Sequence, residues 1–337
     1  MDPTQLYSTL PSDKSIRLLR LQCGVHEQPI SCSLIVTDDY ISTPEYYALS
    51  YCWGDVTDTT ELICNGRSIP VTKTLYAALH RLREKIASRL VWADAVCINQ
   101  KNTEERNQQL SIMKQIYIHA SSVFIWAGQG DEHSAPSLDL IRSISYGCCK
   151  ELYGLDSSPA SWPARLRKEA DRTHIVMNIN LAELEEVSRT IWQSFWHFYQ
   201  SNWFFRVWVI QEVRESTHTW LLCGKEIAWE FVALAASWVC RTLFRNTTRH
   251  WKKDHFPSYS GFCNSFFMWE SFSTRREALF PALLNLVRRF RSTDPRDKVF
   301  ALLQHPILQV RESEQRESIG TRHPSGLSSN VSLLPDY

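Results

Sequence analysis

The chain has 337 residues, with 37 Lys and Arg against 36 Asp and Glu, and 44% of its residues are hydrophobic. This length is enough for one large domain or two small ones with a sizeable core, and the near-zero net charge argues against a broad nucleic-acid-binding surface. The 13 Trp, 15 Phe and 12 Tyr are more than a disordered chain carries. We therefore predict a folded globular protein that does not bind nucleic acid.

The sequence carries no sign of a membrane span or of secretion. No window approaches the roughly 18 consecutive apolar residues that a membrane-spanning helix needs, and the first residues, MDPTQLYSTLPSDKS, lack the basic start and apolar run of a signal peptide. The ten Cys form no C-x-x-C pair, which indicates reduced thiols rather than a secreted disulfide framework. We predict a cytoplasmic protein without a membrane span.

The N-terminal part of the chain is predicted to lead into a sheet. Residues 1–44 are predicted to be an irregular lead-in, in which residues 16–21 and 32–36 are candidate edge strands. The aromatic and apolar run at residues 47–52 predicts a buried strand that ends in a turn. Asn65-Gly66 between two short apolar runs is typical of a two-residue hairpin.

Two further apolar runs, at residues 89–98 and 122–127, predict buried strands. Helical patterns separate these strands, one capped by Thr74 with apolar positions as far as Ile86, and one that starts at Thr103 and ends near residue 120. Strands that alternate with helices at this spacing indicate parallel pairing with right-handed crossovers. The sequence therefore predicts an α/β fold with a mostly parallel sheet and flanking helices.

The C-terminal half is predicted to be mainly helical. After residue 131 the pattern loosens, until an aromatic segment at residues 191–213 predicts a helix and residues 219–223 predict a short strand. Three more elements are predicted, namely helices at residues 229–243 and 275–290 and an apolar element at residues 297–303. From residue 304 the chain is polar and rich in Ser, Arg and Glu, which predicts a disordered tail.

Arg106 breaks the amphipathic pattern of the helix that starts at Thr103. At 100° per residue it projects near the centre of the predicted apolar stripe, with Gln109 at the edge of that stripe. A buried guanidinium needs a carboxylate partner, and Asp94 and Asp55 lie at predicted strand ends, where ligands bind in open α/β sheets. Two interpretations stay open: a ligand site, or a structural ion pair that fixes the helix to the sheet. The stripe itself consists of Leu110, Met113, Tyr117 and Ala120.

Other familiar signals are absent. The sequence has no G-x-G-x-x-G or G-x-x-x-x-G-K-[ST] phosphate loop and no H-E-x-x-H or paired Cys/His spacing, so no metal site is predicted. Cys97 is interpreted as a core thiol rather than a nucleophile, since no His has a supporting position. The tryptophans between residues 192 and 208 are interpreted as packing rather than as a base-stacking platform.

Four ordered blocks resemble the heterokaryon incompatibility (HET) domain of filamentous fungi. They are YALSYCWGD at residues 47–55, LVWADAVCINQ at residues 90–100 followed by a helix with Glu105, Arg106 and Gln109, WFFRVWVIQE at residues 203–212, and DKVFALL at residues 297–303. The resemblance implies a HET domain at residues 45–212 and a helical extension packed on it at residues 213–303. The family pattern's final LPDY, here residues 334–337, predicts a truncated or minimal version whose residues 304–337 form the tail.

The resemblance implies a function in fungal non-self recognition and regulated cell death, with protein partners or self-association. The HET family has also been likened to TIR-type domains, which implies a TIR- or flavodoxin-like core. Some TIR domains cleave NAD with a Glu, so two alternatives stay open. One is an NAD-consuming hydrolase with Glu105 as catalytic carboxylate and Asp94 as a second catalytic candidate. The other is a non-catalytic, self-associating module. No cofactor is predicted from the residues themselves, and NAD enters only as a conceivable substrate.

The candidate pocket draws on the first two blocks. Its predicted members are Ser50, Trp53, Gly54, Asp55, Asn99, Gln100, Arg106 and Gln109. Arg206 and Glu212 of the third block either line this pocket or fix the aromatic helix onto the sheet. Of these two roles, the structural one is favoured.

Overall fold

The protein was analysed as a computed structural model. It describes residues 6–154, 158–169, 181, 184, 186–214, 216, 218–245, 261–273 and 287–303. Nine strands in these residues form one sheet, in the order β5-β4-β2-β1-β6-β3-β7-β8-β9. The strands are β1 (Ile16–Leu21), β2 (Ser31–Thr37), β3 (Tyr47–Tyr51), β4 (Thr59–Cys64), β5 (Arg67–Thr72), β6 (Arg89–Trp92), β7 (Ser122–Gly128), β8 (Thr219–Cys223) and β9 (Lys225–Ala228).

The α/β class is confirmed, but the sheet is mixed rather than mostly parallel. Strands β3, β6, β7 and β8 pair in parallel, as do β2 and β4. The pairs β1–β2, β1–β6, β4–β5 and β8–β9 are antiparallel. The turns between β4 and β5 and between β8 and β9 are very short, and short turns can join only antiparallel neighbours. The sequence predicts the first of these hairpins, at Asn65-Gly66, but not the antiparallel pairing of β8 with β9.

The predicted lead-in supplies two interior strands. β1 lies between β2 and β6, and β2 lies between β1 and β4, so the prediction that these segments are edge strands is wrong. The sequence IRLLRL of β1 is buried at five of its six positions, as expected of a strand with neighbours on both sides. The central sheet therefore depends on residues that precede the first HET-like block.

The predicted hairpin at Asn65-Gly66 is confirmed. β4 and β5 pair in register from Thr59–Thr72 to Cys64–Arg67, and the two turn residues have φ values of 52° and 74°. These positive values are typical of the type I′ turn, which Asn-Gly favours because both residues tolerate the left-handed region.

Ten α-helices are described. They are α1 (Lys73–Leu82), α2 (Asp94–Cys97), α3 (Thr103–His119), α4 (Ser134–Tyr153), α5 (Trp162–Lys168), α6 (Arg189–Phe198), α7 (Val209–Arg214), α8 (Trp229–Arg245), α9 (Gly261–Ser273) and α10 (Asp297–Leu303). The helix predicted at residues 229–243 and the apolar element at residues 297–303 are confirmed as α8 and α10. Residues 275–286 of the other predicted helix, and the tail at residues 304–337, lie outside the described residues.

Several predicted boundaries shift. Thr72 rather than Thr74 caps α1, by accepting a hydrogen bond from the backbone N–H of Leu75. Because α1 ends at Leu82, Ile86 is 91% exposed instead of belonging to an apolar helix face. Asn102 caps α3. The segment predicted as one strand at residues 89–98 stops at Trp92, and the next residues turn into α2.

The aromatic segment at residues 191–213 is not one helix. It divides into α6, a 3-10 helix at Asn202–Phe205 and α7, while the loosely patterned region before it contains the 20-residue helix α4. The apolar residues of the described chain form two buried clusters, one around β1–β7 and α1–α3 and one around α4–α10 with β8 and β9. None of the described helices has the length and apolar character needed to cross a lipid bilayer.

Candidate functional site

Polar side chains gather where the parallel strands β3 and β6 end. β3 ends at Tyr51 and β6 at Trp92, and the carboxyl ends of such strands are where open α/β sheets bind ligands. The last turns of the third HET-like block pack against this edge, since α7 contacts both α3 and β3. We call the resulting group the acid–arginine cluster; it consists of Ser50, Tyr51, Trp53, Asp94, Trp203, Arg206 and Glu212.

A directed chain of hydrogen bonds forms the buried part of the cluster. The indole Nε1 of Trp203 donates to Ser50 Oγ at 2.7 Å, and the Ser50 hydroxyl donates to a carboxylate oxygen of Glu212. An indole N–H can only donate, so the Ser50 proton is left to point at Glu212. All three residues are buried, and 162 positions separate Ser50 from Glu212 in the chain.

The positively charged group that faces Glu212 is the guanidinium of Arg206. Its Nη2 lies 3.6 Å from Glu212 Oε1, and its Nη1 donates to the backbone carbonyl of Tyr51. Burial lowers the pKa of this guanidinium, but the carboxylates of Glu212 and Asp94 raise it by more, so the net pKa is raised and Arg206 is charged. Burial is the largest influence on Glu212 and raises its pKa, against the opposing effects of Arg206 and the Ser50 hydrogen bond.

Asp94 lies at the half-buried rim of the cluster. Its two carboxylate oxygens accept hydrogen bonds from Trp53 Nε1 at 3.1 and 3.0 Å, and Oδ1 also accepts from the backbone N–H of Ala95 at 2.8 Å. The side chain of Gln100 donates to the Asp94 carbonyl at 2.9 Å. These bonds hold Asp94 at the start of α2 with its carboxylate turned towards Trp53.

The Tyr51 hydroxyl differs from the other polar groups of the cluster in its hydrogen bonding. It is buried and makes no well-formed hydrogen bond with the described residues. Burial raises the pKa of Tyr51, and the nearby Asp94 carboxylate raises it further. A buried hydroxyl without a well-formed hydrogen bond is uncommon in folded proteins, and the charged groups that act on this one are the Asp94 carboxylate and the Arg206 guanidinium. The cluster thus combines two acids in different environments, an arrangement that suits acid–base chemistry.

The pKa shift of Glu212 makes a testable prediction about stability. Because the pKa is higher in the folded protein than its usual value of 4.5, the stability it contributes is complete below pH 4.5 and is lost as the pH rises through the folded pKa. We expect the unfolding free energy of the wild type to fall relative to that of Glu212→Gln above pH 4.5, by at most about 1.4 kcal/mol per pH unit. Urea unfolding of both proteins from pH 4.5 to 8 measures this difference.

The control for this prediction is Glu27→Gln, at an exposed position, which should follow the wild type at every pH. A difference between wild type and Glu212→Gln that stays constant over the whole range would show that Glu212 keeps an ordinary pKa in the folded protein.

The structure brings together four of the predicted site residues: Ser50, Trp53, Asp94 and Gln100. It places Asp55 outside the cluster, exposed in a turn where its carboxylate accepts from the Thr57 backbone and hydroxyl. Gly54 has a φ of 75° and leads the chain into that turn.

The inward position predicted for Arg106 is wrong. Arg106 is exposed, and the buried stripe of α3 consists of Glu105, Gln109, Met113, Ile116 and Tyr117. The stripe is therefore rotated by about one residue from the one that apolar spacing predicts. Its first two members are polar, because partners from β1 and the preceding segment satisfy them. Neither Asp94 nor Asp55 is the partner of Arg106.

Glu105 belongs to a second buried group, the Arg17–Glu105 pair. Arg17 Nη1 lies 2.5 Å from Glu105 Oε1 and Nη2 lies 3.1 Å from Oε2, while the backbone N–H of Asn99 donates to Oε1 at 2.8 Å. Burial raises the pKa of Glu105, but the bonds from Arg17 and Asn99 lower it by more, so the net pKa is lowered. Next to the pair, the Gln109 amide donates to the Ser15 carbonyl at 2.9 Å.

Sequence reasoning did not consider Arg17, Tyr51 or Trp203 as site residues, and it favoured a purely structural role for Arg206 and Glu212. Arg17 had a detectable signal, since it is one of two charged residues in an otherwise apolar strand. Trp203 had none, because nothing local shows that its indole meets Ser50. In the described parts of the chain, no three His, Cys, Asp or Glu side chains are placed to hold a metal ion.

The structure thus defines an α/β protein whose buried acid–arginine cluster lies at the carboxyl ends of parallel strands. The family model "Heterokaryon incompatibility protein (HET)" matches residues 46–212, and this range contains every member of the cluster. The chain is therefore a HET-domain protein. It is 30% identical over 227 residues to "Heterokaryon incompatibility protein 6, OR allele" of Neurospora crassa (strain ATCC 24698 / 74-OR23-1A / CBS 708.71 / DSM 1257 / FGSC 987), a match that covers 61% of this chain and 31% of that protein. The chain therefore spans about a third of this relative's length, and no solved structure matches it.

Proposed function

We propose that this protein takes part in fungal non-self recognition and regulated cell death, with the acid–arginine cluster as its working centre. The family match and the name of the Neurospora relative support the first part of the proposal. The observation that supports the second is the buried bond between Ser50 and Glu212. It joins the first and the last blocks of the matched range into one group at the sheet edge, together with Asp94 and Arg206.

The cytoplasm is the proposed location, where fused hyphae mix their contents. Protein partners or other copies of the chain are the proposed binding partners. The balanced charge of 37 basic and 36 acidic residues gives nucleic acid no evident binding surface.

Inducible expression in Neurospora crassa hyphae tests the proposed function. We expect the wild-type chain to reduce the fraction of viable hyphal compartments, counted by exclusion of a membrane-impermeant dye. Hyphae that produce the same amount of an unrelated soluble protein are the control. Unchanged viability, with the chain present at a level confirmed by immunoblot, would contradict a death-promoting role.

A second candidate function is hydrolysis of NAD by a TIR-like core, and the two carboxyl groups of the cluster favour it. The carboxylate predicted for this role, Glu105, already binds Arg17 through both oxygens. Asp94 lies instead close to the Tyr51 hydroxyl, and Glu212 accepts from the Ser50 hydroxyl, so we assign the acid–base role in this candidate function to these two residues. Incubation of the purified chain with NAD, followed by chromatography for released nicotinamide, separates an enzyme from a non-catalytic, self-associating module.

A further inference from the structure

Two cysteines meet where α8 packs against α9. The Sγ atoms of Cys240 and Cys263 are 3.9 Å apart, and neither residue is in a disulfide. A disulfide needs an S–S distance of about 2.05 Å. The two sulfur atoms must therefore approach each other by about 1.9 Å for a disulfide to form.

One thiol of this pair is open to solvent and the other is not. Cys240 is buried, whereas Cys263 is half-buried and so within reach of a small reagent. Burial raises the pKa of the Cys240 thiol, its contact with Cys263 raises it further, and the guanidinium groups of Arg241 and Arg289 oppose this rise only in part, so the net pKa is well above the usual value. Cys240 therefore stays a thiol at neutral pH, and the partly exposed Cys263 is the thiol that meets a dissolved oxidant first.

We propose that Cys240 and Cys263 form a peroxide-sensitive dithiol that is converted into a disulfide between α8 and α9. The thiolate of Cys263 attacks one oxygen of hydrogen peroxide and breaks the O–O bond, which gives a sulfenic acid and a hydroxide that takes up the proton lost by the thiol. The Cys240 sulfur then attacks the sulfenic sulfur, and the S–O bond breaks as the second water leaves with the Cys240 proton. In sum, two thiols lose two electrons to one peroxide, with one disulfide and two waters as products.

The dithiol lies close to an element that supports the acid–arginine cluster. The residue after Cys263 is Asn264, whose amide donates to the backbone carbonyl of Phe204 at 2.9 Å. The neighbouring Trp203 is the donor to Ser50. A disulfide between α8 and α9 would therefore fix α9, the helix whose Asn264 helps to hold the segment with Trp203 in place. This proposal does not depend on what the cluster does.

Two other thiol pairs provide internal comparisons. Cys32 and Cys64 face each other in register on β2 and β4, but both are buried, so an oxidant cannot reach them without opening the sheet. Cys148 and Cys149 are adjacent within α4 and are also buried. Of these three pairs of described residues, the Cys240–Cys263 pair alone combines an Sγ–Sγ distance of 3.9 Å with partial exposure of one partner.

The test uses the full chain, treated with a small molar excess of hydrogen peroxide, alkylated and digested without reduction. We expect one linked peptide pair that contains Cys240 and Cys263, and a rise in Tm of about 5 °C that a reducing agent reverses. Cys263→Ser should abolish both results, whereas Cys149→Ser should retain both. In Cys240→Ser, dimedone should trap a sulfenic acid at Cys263.

Two results would overturn the proposal. One is full alkylation of Cys263 after peroxide treatment of the wild type. The other is a linked peptide pair from different cysteines, such as Cys32 and Cys64, in place of the expected one.

Discussion

Arg17→Met is expected to lower the free energy of unfolding by about 3–5 kcal/mol at pH 7. The side chains of Arg17 and Glu105 are only 1% and 10% exposed, so the substitution leaves a buried carboxylate that has lost its counter-ion. Glu105→Gln should be destabilising to a similar degree, because it leaves the guanidinium without its partner. Urea unfolding at pH 7 measures both effects.

The double variant Arg17→Met/Glu105→Gln separates a charge effect from a packing effect. It should be clearly more stable than the sum of the single effects implies, since no charge is then buried alone. Arg142→Met is the matched control: Arg142 pairs with Asp139 at the surface, and its loss should cost less than about 1 kcal/mol. Equal small losses for Arg17→Met and Arg142→Met would show that the Arg17–Glu105 pair contributes little to stability.

The direction of the pH effect follows from the lowered pKa of Glu105. The stability that the pair contributes is present above the usual carboxyl pKa of 4.5 and is lost as the pH falls through the lower folded value.

The contribution of Glu105 to stability also affects how a loss of function must be interpreted. A Glu105→Gln variant that fails to kill hyphae would not establish a catalytic role for Glu105 unless its fold were shown to be intact.

Asp94→Asn is expected to remove the effect of the chain on hyphal viability while the fold persists. The amide keeps an oxygen that accepts from the Trp53 indole, as Asp94 does in the wild type, but it removes the negative charge beside Tyr51 and Arg206. If the cluster performs acid–base chemistry, the rate of killing should fall by about two orders of magnitude. Dye exclusion in hyphae at matched protein levels measures this rate, and thermal unfolding checks the fold.

The matched control is Asp139→Asn, an exposed carboxylate on α4, which should kill as the wild type does. If Asp94→Asn is well folded and still fully toxic, the cluster is not the working centre of the protein. Nicotinamide release by the wild type, lost in Asp94→Asn, would identify the enzyme; toxicity without any nicotinamide release would favour the interaction module.

Local signals predicted the elements whose residues interact mainly with their neighbours in sequence. The Asn65-Gly66 turn needs only two residues that tolerate positive φ. β8 is followed directly by a Gly, and the apolar spacing of α8 can be read from its own sequence. Antiparallel pairing of β1 with β6 has no such local signal. It joins residues that are far apart in the chain, such as Leu19 and Val91, so no local pattern indicates it.

The candidate site was predictable in part for the same reason. Ser50 lies near the carboxyl end of β3, Trp53 and Asp94 follow the ends of β3 and β6, and any parallel sheet gathers such residues at one edge. Arg106 was misplaced because an apolar stripe cannot reveal that Glu105 and Gln109 are buried with partners outside the helix. Their partners, Arg17 and the Ser15 carbonyl, are 88 and 94 positions away. Trp203 was missed for the same reason, because its partner Ser50 is also far away in the sequence.

Because β1 lies inside the sheet, the range that the family model matches is shorter than the part of the chain that must fold together. The matched range starts at residue 46, yet β6 inside it is bordered by a strand made from residues 16–21. A protein cut to residues 46–212 would expose one edge of β6 and strip Glu105 of its guanidinium. Exchange of this domain between proteins, whether in the laboratory or by recombination, would therefore preserve a stable sheet only if the segment from about residue 6 onwards moved with it.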